Sequence, residues 1–197
     1  MIKKFGDYDK VQSYSDAEIL PRGGYVCKII DAKIIENNYG QSVKLAWDIA
    51  EGDQKDYYKK RFDSDTREDK KWSGVHLLSV PKDDGSERDG WTKRAFKTFT
   101  DALEDSNDNY HFDWDESKFK GKLIGFVINY RQYEKQDGSV GNTPNVGRVT
   151  SVQNIKDGKF KIPDDKLLKN HKQPLVASST DNSGFSIPEE TDEAVPF

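Results

Sequence analysis

An all-β fold with one capping helix is what this sequence predicts, and three observations carry it. Short runs rich in β-branched and aromatic residues recur between turns containing Gly and Asn. One of these runs alternates apolar and polar side chains over a full strand. A lone stretch with apolar residues at helical spacing falls between the third and fourth runs.

Residues 1–20 are polar and read as an N-terminal extension, closed by Pro21-Arg22-Gly23-Gly24. Residues 25–35 (YVCKIIDAKII) form the first strand, and Asn37-Asn38-Tyr39-Gly40 turns the chain. In 42–51 the residues Val43, Leu45, Trp47 and Ile49 share one face, which puts Trp47 in the core and turns Lys44 outward. Residues 57–62 (YYKKRF) read as a third, basic strand. Phe62 shares its phase with Tyr58 and Lys60, so Tyr57, Lys59 and Arg61 take the outer face. Residues 64–90 then read as a long insertion containing Val75-His76-Leu77-Leu78. Thr92 caps a helix whose apolar positions are Ala95, Phe96, Phe99, Ala102 and Leu103. The fourth strand covers 123–134, a hairpin tip 136–142, and the fifth strand 145–155. Three strands, a helix and two strands is the order of the OB fold, a five-stranded Greek-key barrel that binds oligonucleotides across strands two and three. The expected organisation is therefore an extension (1–20), an OB domain (21–172, with the 64–90 insertion) and an acidic tail (173–197).

The 197 residues carry a net charge of −4, but the balance is uneven. Residues 173–197 hold Asp181, Glu189, Glu190, Asp192 and Glu193 and no Lys or Arg, which leaves 1–172 at +1. Such asymmetry between body and tail points to a nucleic-acid-binding body with an acidic appendage. No run approaches the ~18 apolar residues that span a bilayer, and no apolar signal region follows Met1. A membrane partner is therefore not expected, and the cytoplasm is the expected compartment. Lone Cys27 excludes a disulfide framework within the chain.

Enzyme chemistry finds little support. His76, His111 and His171 are scattered, and no phosphate-loop or dinucleotide fingerprint occurs. Asp63 with Asp65, and Asp113 with Asp115 and Glu116, suit solvated turns better than a nuclease metal site. Neither a cofactor nor a metal is expected.

Aromatics interleaved with cations form the strongest constellation. Single-strand binders need that mixture because cations track phosphates while rings stack on any base. On the expected strands it comprises Lys33, Lys44, Tyr57, Lys59, Arg61, Arg131, Tyr133 and Arg148. Against this, strands are often rich in Tyr, and lysines can simply solvate an outer face. Trp72, directly after Lys70-Lys71, is a candidate lid contact or else an anchor pinning the insertion to the barrel. In the tail, Asp192 and Glu193 precede a terminal Pro196-Phe197, a hook for a partner with a basic groove and an apolar pocket.

An OB-type body followed by an acidic tail ending in Pro-Phe resembles bacterial and phage single-stranded-DNA-binding proteins. Segments 20–28 (LPRGGYVCK), 62–72 (FDSDTREDKKW), 91–104 (WTKRAFKTFTDALE) and 112–121 (FDWDESKFKG) look like those of phage-encoded replication and recombination proteins from Gram-positive hosts. The likeness spans 20–168 and the C-terminal end, with the acidic run interrupted by Thr191 and Ala194. It implies sequence-independent binding of single-stranded DNA, no catalysis, and a tail that recruits replication or recombination proteins in the host cytoplasm. A protein-docking OB module with little DNA binding is the alternative, and self-association is left open by the sequence.

Overall fold

The computed structural model describes residues 3, 4, 6, 19–38 and 40–168. Tyr39, most of the N-terminal extension and the whole of 173–197, including Asp192, Glu193, Pro196 and Phe197, lie outside the described residues.

Five antiparallel strands form one open sheet in the order β3-β2-β1-β4-β5. They are β1 (Gly23–Asn37), β2 (Gly40–Ile49), β3 (Val75–Ser79), β4 (Leu123–Glu134) and β5 (Val140–Thr150). Between them lie α1 (Tyr57–Ser64), α2 (Glu87–Glu104) and a 3-10 turn (Glu116–Phe119), and α3 (Val152–Lys156) follows β5. Helix α2 packs on both edge strands, β3 and β5, and so fills the space between the two open sides of the sheet.

The alternation in β2 holds. Val43, Leu45, Trp47 and Ile49 all face the core, and Trp47 is 2% exposed, set edge-on to Tyr58 and Phe126 at 4.8 and 5.0 Å. Cys27 and Ile29 of β1, Ile124, Phe126 and Ile128 of β4, and Phe96, Phe99 and Leu103 of α2 complete that core. Leu20, the end of the expected extension, is also fully buried and donates its N–H to the Tyr57 hydroxyl at 2.9 Å.

The expected third strand is not a strand. Residues Tyr57–Ser64 are helix α1, and the physical reason lies in β2. The Asp48 carboxylate accepts from the Tyr58 and Lys59 N–H groups, each at 2.9 Å, and satisfies donors that a helix start leaves without partners. Tyr57 and Tyr58 are both buried, which strand alternation forbids and one helical turn permits. The third strand is instead Val75–Ser79, inside the stretch read as an insertion. The long connection therefore runs from β2 to β3 and carries α1, while β3 reaches α2 through residues 80–86.

Two further boundaries move. Helix α2 begins at Glu87, capped by Ser86, whose side chain accepts from the Asp89 N–H at 3.1 Å; Thr92 lies inside the helix. Strand β5 ends at Thr150, and Ser151 caps α3, so residues 152–155 are helical and not strand. Past α3 the chain returns across the back of β1 and β4. The returning chain, with α3, packs so closely on Gly24 and Gly125 that a Cβ would lie 2.6 Å from Phe160 and from Ile155 of α3 respectively. It finishes beside β4: Tyr130 and Lys166 are bonded through their backbones, and Asp165 accepts from the Tyr130 N–H and from Arg22.

Candidate nucleic-acid interface

Strand β4 runs past the start of β1, and there it pairs with β5 on one edge and meets Lys166 through a parallel bridge at Arg131 on the other. The Lys135 N–H donates to the Ser139 carbonyl at 2.8 Å, which makes 133/141 and 131/143 the hydrogen-bonded pairs. Pro144 then sits at a position where its missing N–H would point away from β4, as a proline on a free edge should. On this projecting hairpin Arg131, Tyr133 and Lys135 alternate onto one face. Helix α1 presents Arg61 toward the same place, and Ile19 approaches from before β1.

These side chains line one open cleft of about 690 Å³, closed on its far side by Val140–Pro144 of β5. Its character is set by two features. Among the described residues no Asp or Glu lines it, and Arg61, Arg131 and Lys135 have no carboxylate within ion-pair distance. Tyr133 offers a ring that is 43% exposed and held over Gly141, where a Cβ would meet it at 2.6 Å. Arg61 is itself positioned, since its guanidinium donates to the Tyr57 hydroxyl at 2.9 Å. Cations that neighbouring acids do not neutralise, beside an exposed ring, can hold phosphates and stack a base.

The other expected site residues are placed differently. Tyr57 is buried and its hydroxyl is hydrogen-bonded, so it supplies no stacking surface and supports Arg61 instead. Trp72 is half-buried, and its indole N–H donates to the Trp47 and Gly74 carbonyls at 3.2 and 3.1 Å. That is the anchor, not the lid. Lys59 lies on the exposed face of α1, paired with Asp63. Lys33 and Lys44 face each other across β1 and β2, and Leu77 of β3 continues their row. Lys33 is ion-paired with Asp31 at 2.9 Å. Arg148 is exposed on β5 but lies outside the cleft, in a groove between β3 and β5.

Lys135 and Ile19 escaped the sequence reading. Lys135 shares the phase of Arg131 and Tyr133, a signal that was present one residue beyond the expected strand. Ile19 gave none, being a single apolar residue at the end of a polar stretch.

Elsewhere, burial pushes the Cys27 thiol well above its ordinary range, which keeps it protonated and inert. Among the described residues no cluster of three or more His, Cys, Asp or Glu side chains is arranged to hold a metal ion. No described helix is long and apolar enough to cross a membrane. Compared with protein-family models and with curated protein sequences, the chain matches none.

Proposed function

We propose that this protein binds single-stranded DNA without sequence preference, through an OB-type barrel, and coats strands exposed during phage DNA replication and recombination. The strand order β3-β2-β1-β4-β5 with a helix between β3 and β4 supports the barrel, because an OB fold joins its strands in that order. The observation that carries the function is the cleft in which Arg61, Arg131 and Lys135, with no acid among its described lining residues, surround the exposed Tyr133 ring. Such a cleft suits a flexible, anionic chain of aromatic bases. A duplex hides its base faces and gains nothing from Tyr133. The terminal Asp192, Glu193, Pro196 and Phe197 remain, in this reading, the hook for replication or recombination proteins.

A second reading, a protein-docking module, rests on a separate feature. Trp114, in the left-handed region at φ 68°, is 80% exposed and stacks on Phe96 with an interplanar angle of 10°. An exposed indole held in strained backbone suits a protein contact.

Fluorescence anisotropy of a labelled ~30-nucleotide oligo(dT), titrated at two salt concentrations beside a matched duplex, tests both. The DNA reading expects preferential binding to the single strand. Three cleft cations would contribute about −2 to the log–log salt slope, at about −0.7 for each phosphate neutralised. No binding at low salt leaves only the docking module.

A further inference from the structure

Beyond the cleft, β5 borders a second concavity. Its residues 146–149 face Leu77 and Leu78 of β3 across a groove of about 470 Å³, roofed by α2. The backbone groups of Leu77 and Ser79 point into the open side of β3, since Gly74 and Val80 fix the opposite phase by bonding to Trp47 and Gln41. Three properties of the groove need explaining. Trp91 of α2 lines it while 61% exposed, a large aromatic left in water on a helix whose next aromatic residues, Phe96 and Phe99, are buried. The Arg94 guanidinium lies 5.9 Å from the Trp91 ring. Arg148 lines the groove without a carboxylate among its described neighbours, and no described acid lines it. Burial pushes the other titratable group of the groove, His76, down to about 4, so it is uncharged at neutral pH and the charge at the groove is that of Arg148 and of Arg94 beside Trp91.

We infer that this groove is a second nucleotide-binding station, taking an unpaired base against Trp91 and its phosphates on Arg148 and Arg94. The inference rests on the single-strand-binding reading and gives it a path. Residues 140–144 of β5 line the cleft and 146–149 line the groove, so one strand borders both. Ten residues of β5 at ~3.3 Å each extend roughly 30 Å. The DNA therefore runs along the free edge of β5 from Tyr133 to Trp91, and not across the outer face of β1 and β2 where Lys33 and Lys44 lie. Charge and the exposed ring favour this occupant over an uncharged peptide strand, which would use the β3 edge but not the two arginines flanking the indole.

The test compares full-length wild type with Trp91→Ala, Arg148→Ala and Tyr133→Ala, using oligo(dT) probes of about 6 and 20 nucleotides. Thermal melting monitors the fold, which an exposed tryptophan should barely affect. Trp91→Ala should weaken the long probe about 10-fold and the short probe less than 2-fold, whereas Tyr133→Ala should weaken both. Photocrosslinking with 5-iododeoxyuridine in the long probe should label the peptide containing Trp91. Unchanged long-probe affinity in Trp91→Ala and Arg148→Ala, while Tyr133→Ala still loses binding, overturns the groove and leaves the function standing. Crosslinks confined to peptides bearing Lys33 and Lys44 overturn the path. No binding of either probe by wild type overturns the function itself.

Discussion

The cleft and helix α2 contain the same kinds of charged residue and put them to opposite uses. On α2, Lys93 pairs with Asp83 and Asp89, and Lys97 with Asp101; nearby, Lys118 pairs with Asp113 and Asp115. Most of these pairs come from acids three or four residues away, or at the next turn of chain, so the sequence itself neutralises each lysine. In the cleft, Arg61 comes from α1 and Arg131 and Lys135 from the β4–β5 hairpin, and the acid nearest Arg61 in sequence, Asp63, is taken by Lys59. A near-neutral body thus hides a locally cationic surface. Net charge says little about where an anion can bind; what matters is whether each cation already has a partner.

The largest effect should come from reversing charge in the unpaired set. Arg61→Glu with Arg131→Glu should cut affinity for oligo(dT) about 100-fold at low salt and flatten the salt slope by about 1.4, two phosphate contacts' worth. Lys97→Glu with Lys118→Glu makes the same change in charge in the paired region and should leave affinity within about 2-fold. Equal losses in the two double variants, measured by anisotropy, would mean that binding follows overall charge and the cleft has no special role.

The paired region should fail in a different way. Asp89 is buried at the start of α2, where its carboxylate accepts from the Lys82 and Asp83 N–H groups at 2.8 and 3.1 Å and pairs with Lys93 at 3.0 Å. Asp89→Ala leaves those donors without a partner and should cost about 2–3 kcal/mol, or roughly 5–10 °C in melting temperature. Lys93 holds the Asp89 carboxyl below its ordinary range. Its contribution to stability is therefore present above the unfolded carboxyl value and is lost as pH falls below about 4. Asp89→Asn should lessen that acid-side loss, and a melting profile from pH 7 to 3 checks it. DNA affinity at 20 °C should be unaffected by either substitution.

How much of this was legible in the sequence differs between the two regions. Strand β2 was readable because its side chains alternate against one core, with Trp47 declaring its side by phase alone, and β1 and β4 because they are runs of β-branched and aromatic residues between turns. Arg131 and Tyr133 were readable as a cation and an aromatic interleaved on that fourth strand. Helix α1 was not, because its start is stabilised by Asp48, a residue of the preceding strand; local propensity does not record a contact made across a turn. The missing signal was compositional: 57–62 contains no β-branched residue and three good helix formers. Arg61 therefore reached the expected binding set on a mistaken premise about its strand. Strand β3 was obscured by its length of five residues between polar stretches, and the true start of α2 by Gly90 within its first turns.

The smallest predicted effect concerns how the cleft holds its ring. Tyr133 lies directly across from Gly141, and a Cβ there would meet its ring at 2.6 Å. Tyrosine over glycine in a hairpin has two readings: either the ring serves to cover bare backbone, or the glycine serves to let the ring lie flat. Substitution at each end separates them. If covering is the role, Tyr133→Ala lowers the melting temperature and leaves DNA affinity alone. If presentation is the role, Tyr133→Ala loses about 10-fold in affinity, since stacking is worth roughly 1–3 kcal/mol per base. Gly141→Ala then gives a smaller loss, about 3-fold, because the added methyl tilts an exposed ring that is free to swing outward. The cleft's arginines predict the second pattern, for a ring placed among cations that have no acids to satisfy has phosphates as its natural company. Gly141→Ala with wild-type affinity and a displaced ring, seen by NMR of the Tyr133 ring protons, would show that the exact pose of Tyr133 does not matter to binding.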